Sequence, residues 1–155
     1  MYLDIATKAK SLFKNFPKVS DPETAAQTAV VNPLFSWHVS TIQKNKFIVF
    51  NNDGCSLRVV IKSSTDQAQV GADFWAMLEQ LWLQRSLDRQ LFEQYRTKAK
   101  PFVVIQNMNR TVAKILSKTI RDHELNAKKT KPDDASLLRL SSLLTDDLQP
   151  QNGGW

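Results

Sequence analysis

Lys46-Phe47-Ile48-Val49-Phe50-Asn51, then Asn52-Asp53-Gly54, then Ser56-Leu57-Arg58-Val59-Val60-Ile61: two apolar, β-branched runs flank an Asp-Gly pair. Runs of this length rich in Val, Ile and Phe pack well on a pleated, buried surface and read as strands. Asp-Gly between two such runs is a strong hairpin signal, because both turn positions require positive φ. The segment predicts an antiparallel hairpin around Asp53-Gly54. Immediately upstream, Leu34 to Ile42 alternates with β-branched and aromatic residues, and Lys44-Asn45 supplies a turn. The middle of the chain therefore reads as a three-stranded antiparallel meander.

Working outward, Tyr2 to Ala6 reads as a short opening strand. Thr7 is placed to cap a helix through Phe13, with Lys8, Lys10 and Lys14 outward and Leu12, Phe13 and Phe16 inward. Pro17 ends it, and residues 17–33 form a long loop. After a polar stretch, Gly71-Ala72-Asp73 offers a cap for a helix in which Phe74, Trp75, Leu78, Leu81 and Trp82 recur at helical spacing. Asp88 caps a second helix carrying Leu91, Phe92 and Tyr95. Phe102 to Ile105 reads as one more strand. Asn107 or Asn109 then starts a long helix to Leu125. Asp133 opens a leucine-rich helix (Leu137, Leu138, Leu140, Leu144), and the tail from Gln149 to Trp155 is expected to be disordered. The architecture predicted is α+β: an antiparallel sheet of about five strands flanked by helices over residues 1–127. Residues 128–155 form a basic linker, the short helix and the tail.

The 155 residues suffice for one domain with a real core. Cys55 is the only cysteine, so no intrachain disulfide forms. That, with an acidic residue (Asp4) where a signal peptide would be basic, points to a reducing, cytoplasmic setting. No stretch approaches the roughly 20 apolar residues of a membrane-spanning helix, and no membrane partner is expected. The net charge of +6 is unevenly distributed. Residues 96–131 hold ten basic and two acidic side chains, whereas residues 1–95 hold ten and nine. Such polarity suits a polyanionic partner.

The late helix sharpens that expectation. At 100° per residue, Val112, Ile115, Leu116, Thr119, Ile120 and His123 share one arc of roughly 140°. Arg110, Lys114, Lys118 and Arg121 share roughly 80° on the other side. Four cations in that spacing match a phosphate backbone, although any amphipathic helix of a basic protein also shows a solvated Lys/Arg face. No cofactor motif, Gly-rich phosphate loop, CxxC or HxxxH spacing is present, so neither a cofactor nor a metal is expected. His38 in the first central strand is a candidate general base, and a lone strand histidine is more often structural. Cys55 with His38 as base is a weaker option still.

Leu34-Phe35-Ser36-Trp37-His38, followed by Lys46 to Asn52, resembles a family of small bacterial proteins of unknown function. Its members open on an "MY" strand, carry an (L)(F/Y)SWH strand, and enter a late helix through "NR" or "DR", here Asn109-Arg110. The likeness spans about residues 1–122. The hairpin residues Asn51-Asn52-Asp53-Gly54 and the Lys-rich extension after Leu125 depart from the pattern. The resemblance implies the fold and a bacterial setting, and it singles out Trp37, His38, Asn51 and Arg110.

The leading functional expectation is a non-enzymatic binding protein that contacts DNA or RNA through Arg110, Lys114, Lys118 and Arg121. One alternative is a small hydrolytic enzyme using His38. Another is an interaction or regulatory module that docks on a protein through Leu137 to Leu144.

Overall fold

The apolar runs of the chain's middle become the centre of a sheet because both of their faces find cover. A computed structural model describes residues 1–19, 32–99, 101–105 and 110–147, with Arg110 described by its backbone alone. Among these residues five strands form: β1 (Tyr2–Ile5), β2 (Ser36–Ile42), β3 (Phe47–Asn52), β4 (Arg58–Lys62) and β5 (Val103–Ile105). Their order across the sheet is β4-β3-β2-β1-β5. Every residue of β2 and β3 is buried, as expected for strands covered on both sides.

The sheet is mixed, which corrects the expected antiparallel arrangement. β2, β3 and β4 form the predicted antiparallel meander, while β1 runs parallel to both β2 and β5. The cause is connection length. A tight turn after Ile5 would return the chain antiparallel, but residues 6–35 lie between β1 and β2, long enough for a parallel crossover. That connection starts with a 3-10 helix over Thr7–Leu12, capped by the backbone at Ala6 and not by the Thr7 side chain.

The two turns of the meander work differently. Between β2 and β3, Gln43, Lys44 and Asn45 all take positive φ, at 52°, 53° and 65°. Between β3 and β4 the connection is longer than a two-residue turn, and Asp53 is not among the positive-φ residues. Asn52 Oδ1 there accepts from the backbone N–H of Gly54 at 2.8 Å and of Cys55 at 3.1 Å. This is the local turn chemistry of Asn. Gly54 is required by close approach: a Cβ on it would lie 3.0 Å from the backbone nitrogen of Leu34.

Among the described residues, five α-helices follow the meander: α1 (Gln67–Gln84), α2 (Arg89–Lys98), α3 (Arg110–Asp122), α4 (Glu124–Lys129) and α5 (Asp134–Asp146). Asp88 and Asp133 cap α2 and α5 as expected, each accepting a backbone N–H from the first turn. α1 starts earlier than the sequence indicated. Asp66 is its cap, and Asp73 sits inside the helix, accepting from Gln69 Nε2 at 2.8 Å. The late helix breaks at His123, so the Lys128–Lys129 segment belongs to α4 and not to a linker. Asn107 and Asn109, most of the loop over residues 17–33, and the tail from Gln149 lie outside the described residues.

Side-chain alternation gives the sheet two unlike faces. One carries Leu3, Trp37, Val39, Phe50, Val59 and Ile61, all buried. Phe74 of α1 packs there, edge-on to Trp37 at 5.1 Å and to Phe102 at 5.3 Å. The other face is rich in polar side chains and is covered by α3, whose Leu116 and Thr119 are buried. α5 lies along the outer edge of β4. Leu137, Leu140 and Leu144 join the core from it.

Candidate functional site

The register of the sheet aligns four polar residues in one row. Asp4 stands opposite His38, His38 opposite Asn51, and Asn51 opposite Arg58. Residues directly opposite point to the same face, so a carboxylate, an imidazole, an amide and a guanidinium cross four strands side by side. All four are buried, at 4%, 5%, 1% and 1% exposure. His38 Nδ1 lies 3.4 Å from Asp4 Oδ2. Arg58 Nε donates to Asn51 Oδ1 at 2.7 Å, and its Nη1 donates to the backbone carbonyls of Leu144 and Asp147.

Arg58 thus closes the C-terminal end of α5, where carbonyls lack helical partners and the dipole favours a cation. Burial pushes its pKa below the usual guanidinium value, and the charge of Asp147 opposes that shift. Two hydroxyls one helical turn apart complete the join. Thr145 Oγ1 accepts from Arg58 N and Ser141 Oγ from Val60 N, both at 2.9 Å. α5 satisfies the donors of an edge strand that would otherwise be bare.

Beside the row, Ser36 Oγ donates to Asp53 Oδ2 at 2.6 Å. Burial pushes the Asp53 carboxyl up to about 6, against the lowering effects of the Ser36 hydrogen bond and His38. Asp4, His38 and Asp53 therefore share one electrostatic environment. His38 lines neither the basic cleft described below nor the aromatic cavity behind Trp37. Cys55 lines the cavity walled by Trp37, on the face opposite His38, and burial pushes its thiol up. The sequence pairing of Cys55 with His38 is therefore not brought together. Among the described residues, no group of three or more His, Cys, Asp or Glu side chains is placed to hold a metal ion.

The cationic face of α3 lies on the outside as the periodicity predicted. Lys114, Lys118 and Arg121 are exposed, while Leu116 and Thr119 face inward. The side chain of Arg110 lies outside the described residues. Asp122 pairs with Lys118 at 2.7 Å, an i,i+4 contact that sequence counting overlooked, and Lys118 holds the Asp122 carboxyl below its usual range. Beyond the stripe, Arg121 lines a cleft of about 490 Å³ together with Lys8 and Lys44. Lys8 comes from the 3-10 helix and Lys44 from the β2–β3 turn; Thr41, Gln43, Asn45 and Glu124 complete the polar lining. Gln43 Nε2 reaches the Glu124 carbonyl at 3.5 Å, tying the turn to α4.

Of the positions singled out by resemblance, His38 and Asn51 meet in the polar row. Trp37 points to the opposite face, where its Nε1 donates to Tyr95 Oη at 3.2 Å. Sequence reasoning missed Arg58 and the pairing of Asp4 with His38. The available signal was an arginine inside the apolar run Leu57-Arg58-Val59-Val60-Ile61, since a charge there is rarely buried without partners. It also missed Lys8 and Lys44 as neighbours of Arg121, because nothing local joins positions so far apart.

The fold and the row define an α+β protein built on an open, mixed five-stranded sheet with a buried polar ladder. The chain belongs to the family described as Domain of unknown function (DUF6933), whose model matches residues 7–155. No curated protein and no solved structure matches it. No helix among the described residues is long and apolar enough to cross a membrane.

Proposed function

We propose that this chain is a binding protein for a polyanion, with DNA or RNA as the favoured partner. One observation carries the reading: Lys8, Lys44 and Arg121 come from three separate elements and line one cleft, continuous in sequence with the exposed Lys114–Lys118 face. A solvated charge face has no need to converge. Partial desolvation lowers the pKa of Lys8, which stays exposed, and an anion in the cleft would oppose that shift. Glu124 and the Lys118–Asp122 pair temper the field locally without reversing its sign. A bacterial, cytoplasmic setting belongs to the same proposal and rests on the resemblance and the lone Cys55.

The hydrolytic alternative would use His38 with Asp4, and access weighs against it. At 5% exposure, His38 offers no open approach for a substrate and a water. The docking alternative would use a leucine face whose Leu137, Leu140 and Leu144 are at most 4% exposed. Only Leu143, at 38%, remains outward among the leucines of that segment that are largely exposed.

Titration of mixed DNA and RNA at about 50 mM salt tests the proposal. Each lysine or arginine that meets a phosphate releases condensed counterions, so affinity should fall as a power of the salt concentration. Lys44→Ala with Arg121→Ala should weaken binding alike for all sequences and flatten the salt slope by roughly two. Lys114→Ala with Lys118→Ala should act in the same direction with a smaller change in slope, because Lys118 is already paired. Failure to bind either polymer at that salt would end the proposal.

A further inference from the structure

The basic cleft lies between the 3-10 helix, the β2–β3 turn and the α3–α4 junction. Among the described residues its lining holds three cations, one carboxylate (Glu124) and no aromatic ring; Ile42, Ile120 and Ala127 supply its apolar part. At about 490 Å³ it falls within the range of sites that take in small molecules, so it has room for a short length of one polymer strand. A double helix is a stiff rod with its phosphates on the outside, and it would meet only what projects from the rim.

The wall that carries Lys44 is fixed. Gln43, Lys44 and Asn45 turn at positive φ, a conformation that residues other than glycine keep only where their surroundings impose it. The Lys46 N–H closes that turn on the Ile42 and Gln43 carbonyls, at 3.1 and 3.0 Å. The Lys46 ammonium lies over the Phe47 ring, 5.2 Å from its centroid, which leaves Lys44 as the turn's cation in the cleft. The lining is poorly equipped to read bases. An amide reads adenine with both its oxygen and its NH2, and unpaired bases are otherwise held by stacking on a ring. Asn45 Oδ1 already accepts from Thr41 Oγ1, and Gln43 Nε2 donates to the Glu124 carbonyl. Each amide keeps one end only, and no ring is there to stack on.

We propose that the cleft takes a single, flexible phosphodiester strand in preference to a duplex and holds it by its phosphates without reading its bases. This rests on the polyanion-binding role proposed above and adds the form of the polymer. Concavity selects the thin strand, and the three cations of the lining answer the one feature that every nucleotide unit shares.

Fluorescence titration of the whole chain at about 50 mM salt, with three probes compared at equal phosphate concentration, tests this. The probes are a short oligothymidylate, a strand of the same length with abasic tetrahydrofuran units in place of nucleosides, and a duplex of that length. The abasic strand should bind within about twofold of oligothymidylate, and the duplex about tenfold more weakly, although its denser charge would favour it on an open surface. Lys44→Ala with Arg121→Ala should abolish the difference between strand and duplex. Lys114→Ala with Lys118→Ala, on the open helix face, should leave that ratio unchanged. Glu124→Gln removes the one negative charge of the lining and should tighten both single strands alike. A duplex that binds as well as the strand, an abasic strand that binds much more weakly, or a preference that survives Lys44→Ala with Arg121→Ala would each overturn this inference while leaving the polyanion-binding role standing. Binding of none of the three probes would end both.

Discussion

The two faces of the sheet hold the same strands in place by different physics. On the α1 side, Trp37, Val39, Phe50 and Val59 meet Phe74 and Leu78, and contact is non-directional. Shape and volume matter there, and similar side chains can replace one another. On the α3 side, Asp4, His38, Asn51 and Arg58 depend on direction: each lone pair and N–H must find its partner, or it is stranded in a place without water. The apolar face supplies most of the driving force. The polar face decides where α5 sits, because Arg58 can reach the carbonyls of Leu144 and Asp147 in only one position of that helix.

Equal-volume substitutions across the faces should show the largest contrast. Leu78→Met on the apolar side should cost less than about 1.5 kcal/mol. Arg58→Met, similar in bulk, should cost about 3–5 kcal/mol, since the buried Asn51 Oδ1 loses its donor and the Leu144 and Asp147 carbonyls lose the guanidinium that ties them to the strand. Urea titrations of both variants measure this directly. Near-equal losses would mean that the row is incidental to the fold.

Asp53 gives the next effect, with a sign that follows from linkage. Its carboxyl titrates at about 6 in the folded chain against an ordinary value of 3.8, so the folded state holds the proton more tightly. That preference is fully present below pH 4 and is lost as pH rises through 6, lowering stability by up to about 3 kcal/mol. Asp53→Asn, still able to accept from Ser36, should remove this slope and make the chain more stable at pH 7. A variant whose stability still falls between pH 4 and 6 would place the source elsewhere.

The smallest effect expected concerns the hydroxyls that join α5 to β4. Ser141→Ala leaves the Val60 N–H without its acceptor and should cost about 1–2 kcal/mol. Amide hydrogen exchange should show faster opening at Val60 and at Arg58 than at the centre of β3. Unchanged protection at Val60 would indicate that water serves as well as the serine.

The meander, the caps at Asp88 and Asp133, and the amphipathic division of α3 were all legible along the chain. Each depends on residues within a few positions of one another: alternation in Phe47–Asn52, an acceptor two or three residues before a bare N–H, a period of 3.6 in Val112 to Ile120. What the tertiary structure alone decided was pairing over distance. Whether β1 would run parallel or antiparallel depended on a connection whose path no local pattern states. That Asp4, His38, Asn51 and Arg58 would fall in one row required the register of four strands, and a slip by one residue would have sent each to the other face. Likewise Lys8, Lys44 and Arg121 became neighbours only when the crossover, the turn and the late helix had packed against one sheet. Local chemistry acts through a few bonds and one turn of backbone; sites are made by contacts whose closure the whole core must support.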